Sequence, residues 1–172
     1  MGLDVSYFER VEFVKDSADR EYDGYDEGLR RLYPFPDNAE LATRADGLAS
    51  GWYRIEGESG DFLAGSYNGY NRWREQLAKM AHNATPEEIW KDQEAWRGKA
   101  FFELIHFADN EGCIGPQTSA KLARDFAEHQ ERAEAFAKTL PGPLDGKWFI
   151  DKYNRWRKAF ETARHGGAVM FH

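Results

Sequence analysis

From Leu3 to Val14 apolar and polar residues alternate: Leu3, Val5 and Tyr7, then Val11 and Phe13, stand two apart, the period of a strand with one buried face. The pattern predicts a half-buried strand or hairpin that opens a small sheet. Residues 15 to 30 are densely charged and include Gly24 and Gly28, and Pro34 and Pro36 follow, so 15–47 reads as a loop-rich, exposed and mobile stretch. Further on, Trp52, Tyr53 and Ile55 precede Gly57-Glu58-Ser59-Gly60, and Phe62, Leu63 and Ala64 follow it. This order predicts a second hairpin with its turn at the two glycines.

After that the period changes to that of a helix. Tyr70, Trp73, Leu77 and Met80 fall three and four apart and share one face. Thr85-Pro86-Glu87-Glu88 has the form of a capping box with proline at the first helical position, followed by Ile89, Trp90 and Trp96. The run Phe101, Phe102, Leu104, Ile105 and Phe107 suits a buried helix better than a central strand. Leu122, Phe126, His129, Ala133, Phe136 and Leu140 then recur with helical period until Pro141-Gly142-Pro143 stops them. Phe149, Tyr153, Trp156 and Phe160 mark a last helix, ending near Gly166-Gly167, with Ala168 to Phe171 as a final strand that pairs with the early ones. The elements sum to one α+β domain over 1–172: about four amphipathic helices on a small, mostly antiparallel sheet. Tyr70-Asn71-Arg72-Trp73-Arg74 recurs as Tyr153-Asn154-Arg155-Trp156-Arg157, although the flanking residues diverge.

Composition narrows the functional classes. With 172 residues, 41% of them hydrophobic, and 26 aromatic side chains (12 Phe, 8 Tyr, 6 Trp), the chain can bury a core without disulfides or metals. One cysteine, Cys113, excludes an internal disulfide and suits a reducing, cytoplasmic compartment. No apolar run is long enough to span a membrane, and Met1-Gly2-Leu3-Asp4-Val5-Ser6 reads as strand rather than as a lipidation signal. A net charge of -7 opposes general nucleic-acid binding. The partners left are a polar small molecule or another protein.

Two segments carry the candidate chemistry. Gly65-Ser66-Tyr67-Asn68-Gly69-Tyr70 delivers a strand into a helix, whose free N-H groups favour an anion, with Arg72 and Arg74 close in sequence; Ser66 and Asn68 could equally cap the helix. His106-Phe107-Ala108-Asp109-Asn110-Glu111-Gly112-Cys113 is the densest polar constellation, a loop placed between two structured segments. Asp109 and Glu111 lack the ligand ladder of a calcium loop, so no metal and no cofactor is named. Cys113 has no base supplied for it and reads as a small buried thiol. Glu103 and His106 have the spacing of a di-iron helix, but in a single copy. His129 reads as a core histidine and His165 as a helix-end charge. Tyr22, Tyr25 and Tyr67 lie outside the apolar stripes and are free to meet a partner.

Three segments, Gly65 to Ala78, Phe102 to Phe126 and Gly166 to His172, resemble a group of uncharacterised proteins found in bacteria and their phages. The shared signature is Gly-Ser-Tyr-x-Gly-Tyr-Asn-x-Trp-Arg, then Glu-Gly-x-Ile-Gly-Pro leading to Lys-Leu-Ala-x-Asp-Phe, then Gly-Gly-Ala-Val-x-Phe-His. The resemblance implies a bacterial or phage origin and a cytoplasmic protein, and transfers no activity. No complete catalytic set can be read from the residues. The reading is therefore a binding protein with a recognition face made of the 66–70 turn and the 109–113 loop: Ser66, Tyr67, Asn68, Tyr70, Arg72, Arg74, His106, Asp109, Asn110 and Glu111. The alternatives are a small enzyme for a phosphorylated or nucleotide-like substrate, using acidic or histidine acid-base groups, and an acidic antagonist of a basic protein.

Overall fold

The alternating N-terminal segment forms one strand, β1 (Gly2–Asp16), in the computed structural model, which describes residues 2–16, 28–35, 38–107, 112–142 and 144–172. Its partner is the long strand β3 (Gly51–Ser66), paired antiparallel from Gly2 opposite Ser66 to Asp16 opposite Gly51. The expected hairpin at 57–60 is therefore absent. Gly57 takes φ +77, and the ladder steps from Phe8 opposite Ser59 to Arg10 opposite Glu56, so an extra residue is taken up as a bulge. Glu9 closes that bulge by accepting the Glu58 N-H at 2.7 Å. Glycines that look like a turn in sequence here bend a continuous strand.

Three short strands complete the sheet. They are β2 (Leu29–Leu32), β4 (Gly112–Ile114) and β5 (Ala168–Phe171), in the order β2-β3-β1-β5-β4 with every pair antiparallel. The C-terminal strand pairs with the first as expected. The stretch expected to be loop-rich holds β2, the one-turn helix α1 (Ala39–Ala42) and a 3-10 turn (Thr43–Ala45). Residues 17–27 and 36–37, with Tyr22 and Tyr25, lie outside the described residues.

The helices number eight among the described residues, not about four. Beyond α1 they are α2 (Tyr67–His82), α3 (Pro86–Lys91), α4 (Gln93–Trp96), α5 (Phe102–Ile105), α6 (Pro116–Glu128), α7 (Gln130–Ala137) and α8 (Asp145–Ala163). The single helix expected after Gly115 divides at His129, where φ -101 and ψ 8 leave the helical region. The apolar period runs through this break, which is why spacing alone does not reveal it. The capping box forms as read: Thr85 Oγ accepts from Glu88 N, and Glu88 accepts from Thr85 N at 2.7 Å.

One face of the sheet packs Leu3, Val5 and Phe171 against the helices in the main core. The opposite face holds a smaller cluster of Phe8, Leu32, Ala45, Tyr53, Cys113, Ala168 and Met170. In the main core the repeated pentapeptides meet each other: Tyr70 lies 5.8 Å from Trp156, and Trp73 lies 6.5 Å from Tyr153, ring centre to ring centre. The echo in sequence is a reciprocal aromatic pairing between α2 and α8. Among the described residues no helix is long and apolar enough to cross a membrane.

Candidate functional site

Helix α5 is a single turn, too short to satisfy its own carbonyls. Side chains from elsewhere take them instead. Arg44 Nη1 donates to Glu103 O at 3.0 Å, Tyr70 Oη to Leu104 O at 3.5 Å, Trp90 Nε1 to Ile105 O at 3.2 Å and Arg74 Nη1 to Phe107 O at 2.7 Å. Two of the four donors are arginines buried to 5% and 7% exposure. Guanidinium groups are taken out of water at a cost that only such hydrogen bonds offset. The main chain leading to Phe107 is thereby gripped from α2, α3 and the 3-10 turn.

Both ends of the segment that follows are fixed. Phe107 is fully buried, its ring 4.6 Å from Phe171 and 5.4 Å from Phe35. Gly112 pairs with Phe171, takes φ +155, and has the Phe35 ring lying where a Cβ would stand. Only glycine fits there. Asp109, Asn110 and Glu111 lie between these fixed points, outside the described residues.

The same end of the sheet carries the start of α2. Gly2 is opposite Ser66, Val5 is opposite Phe171, and Phe171 is opposite Gly112, so β1 begins, β3 and β5 end, and β4 begins on one side. Ser66 caps α2, accepting from Gly69 N at 3.1 Å; Tyr67 is 36% exposed and Asn68 is exposed. Tyr70 and Arg74, one turn and two turns on, are buried beneath them and reach α5. Arg72 turns away to Asp145 of α8, at 3.2 Å. Nearby, Ser6 Oγ donates to Asp61 at 2.5 Å and lies 2.8 Å from His172 Nε2.

His106 faces the other side of α5, stacked on Phe102 at 5.5 Å. Its Nδ1 lies 2.6 Å from Arg44 Nη2, a permanent cation, so Nδ1 must accept and the proton sits on Nε2. Gln93 then turns its amide oxygen to that N-H at 3.1 Å and its nitrogen to Glu40 at 2.5 and 3.0 Å. Burial, and next the charge of Arg44, hold the His106 pKa below its ordinary value, which keeps the ring neutral. Burial lowers Arg44 to about 10, with Glu103 and Glu40 opposing, so it remains charged. A cleft of about 160 Å3 opens beside this network, between Glu40, Arg97 and Thr118.

Cys113 is fully buried, and burial pushes its thiol up to about 12. A thiol so protonated is not a nucleophile. Neighbouring polar groups are likewise committed: Lys121 joins Glu103 (2.6 Å) and Asp125 (2.9 Å), and Asp125 accepts the N-H of Phe101, which stands at φ +59. No group of three or more potential metal ligands occurs among the described residues. Reading the sequence picks out Tyr70, Arg74 and His106 but not their partners Arg44, Trp90, Gln93 and Glu40. Arg44 and Glu40 sit in a stretch without period, and only their charge amid small apolar residues marks them.

The fold and site define a five-stranded antiparallel α+β protein with a single helical turn clamped at one end of its sheet. No protein-family model, curated protein or solved structure matches this chain.

Proposed function

We propose that the protein is a binding protein whose recognition face combines the exposed start of α2, Ser66 to Asn68, with the segment Asp109 to Glu111. The observation that carries this reading is the set of four side-chain donors on the carbonyls of Glu103, Leu104, Ile105 and Phe107. These four donors hold in place the main chain that leads to a polar segment. Holding a recognition segment on a rigid scaffold reduces the ordering cost of binding. Tyr70 and Arg74 are buried and so lie beneath the face, not on it; they join its two halves, since they follow the α2 start and grip α5. Binding is favoured over catalysis because both ring nitrogens of His106 are engaged, by Arg44 and Gln93, and Cys113 is a buried thiol.

The test is retention of a bound species by tagged protein recovered from lysate of its own source, read by native mass spectrometry. The wild type is expected to carry a stoichiometric small molecule or protein, and Asp109→Asn with Glu111→Gln to lose at least nine-tenths of it while keeping the same thermal midpoint. Equal retention by the two proteins, or none by either, would overturn the reading.

A further inference from the structure

A second site lies on the helix side of the sheet and does not depend on the face just described. Tyr7, at its centre, is five residues along β1 from Gly2, about 17 Å at strand rise. A pocket of about 410 Å3 opens there between α8 and strands β1 and β3, lined by Tyr7, Asp61, Phe62, Asn154, Arg155 and Lys158. That volume is in the range of pockets that hold small molecules.

Its wall is aromatic and fixed. Phe62 is half-buried and edge-on to Trp156, 5.0 Å away, and Trp156 is fully buried. Tyr7 pairs with Gly60, whose missing side chain leaves the space that the phenol fills; a Cβ there would overlap the Tyr7 hydroxyl.

The rim carries two cations, Arg155 and Lys158, and one acid, Asp61. Lys158 is matched by Glu58 at 2.9 Å, and Asp61 is turned to Ser6 at 2.5 Å. Arg155 is exposed and makes no salt bridge among the described residues. It stands near enough to Lys152 to help burial lower that ammonium's pKa, while Lys152 itself is held by the carbonyls of Ala64 and Leu63. An exposed cation without a carboxylate partner beside an aromatic wall attracts an anion. Asn154, also exposed, adds an amide with both donor and acceptor capacity.

We propose that this pocket binds a planar aromatic anion of the nucleoside monophosphate class, its ring against Tyr7 and Phe62, its edge on Asn154 and its phosphate on Arg155. Aromatic faces accept any base, so the site selects for the phosphate and for planarity more than for base identity.

Amide NMR titration of the full chain tests this, with adenosine and uridine 5′-monophosphates, adenosine and inorganic phosphate as separate probes. Either monophosphate is expected to give saturable shifts at Tyr7, Phe62, Asn154 and Arg155, with adenosine or phosphate alone at least tenfold weaker. Arg155→Gln, at an exposed position, should weaken the monophosphates at least tenfold and leave adenosine unchanged. Gly60→Ala, which displaces the Tyr7 ring, should weaken both kinds of ligand. The proposal is overturned if neither monophosphate gives saturable shifts, if the shifts fall elsewhere, or if a folded Arg155→Gln binds as the wild type does.

Discussion

Arg74 is a cation at 7% exposure whose Nη1 reaches Phe107 O at 2.7 Å and whose Nη2 reaches Asn71. Replacing it by Met keeps the stem but leaves a buried carbonyl short of a donor, a loss of about 1–3 kcal/mol expected in urea denaturation. Arg74→Lys should recover little of this, because an ammonium lacks the planar fork that serves two acceptors at once. Gly112→Ala asks for φ +155 in a residue with a Cβ and drives that Cβ into the Phe35 ring; a loss of about 3 kcal/mol is expected. An unchanged urea midpoint in that variant would mean that Phe35 does not hold the entry to β4. His106 and His82 are both kept below the ordinary 6.5, chiefly by burial. Between the lowered values and 6.5 the unfolded chain binds more protons than the folded one, so stability is complete above 6.5 and falls as the pH drops through it. The midpoint measured from pH 8 to pH 5 should fall on the acid side, and His106→Gln should flatten part of that fall.

At the level of elements, periodicity revealed what it physically encodes. Tyr70, Trp73, Leu77 and Met80 are all buried on α2, and the Thr85 box caps α3, because a stripe and a cap are local properties of consecutive residues. The long strand β3 has the pattern of a hairpin in sequence, since Gly57 and Gly60 serve a bulge and a close approach by Tyr7, neither of which is visible without the partner strand. The break at His129 leaves no mark in the spacing for a related reason: its ring lies 5.2 Å from Phe101, a contact from a distant part of the chain. Asp46 caps α6 from 72 residues away in sequence, accepting from Thr118 N at 2.8 Å, and no spacing rule finds such a cap. Removing the local cap on α2 by Ser66→Ala should cost about 1 kcal/mol in the thermal or urea transition. A loss several times larger would show that Ser66 supports more than the helix end.

Across the whole molecule, the candidate site was half legible. Tyr70, Arg74 and His106 could be picked out because they are polar or aromatic residues beside glycine-rich turns, whereas the groups that meet them from residues 40–45 and 90–93 become neighbours only through the tertiary fold. The same fold turns two copies of one pentapeptide to different ends: Arg74 is buried against α5, while Arg157 stays with Glu161 at 2.7 Å. If the clamp on α5 supports a recognition segment, Arg74→Met is the most direct test of it. Hydrogen exchange at Ile105 to Phe107 and Gly112 to Ile114 should quicken at least tenfold in that variant while the amides of β1 and β3 hold their rates, and the retained species should be lost in parallel. Unchanged exchange at those amides, or full retention despite faster exchange, would contradict it.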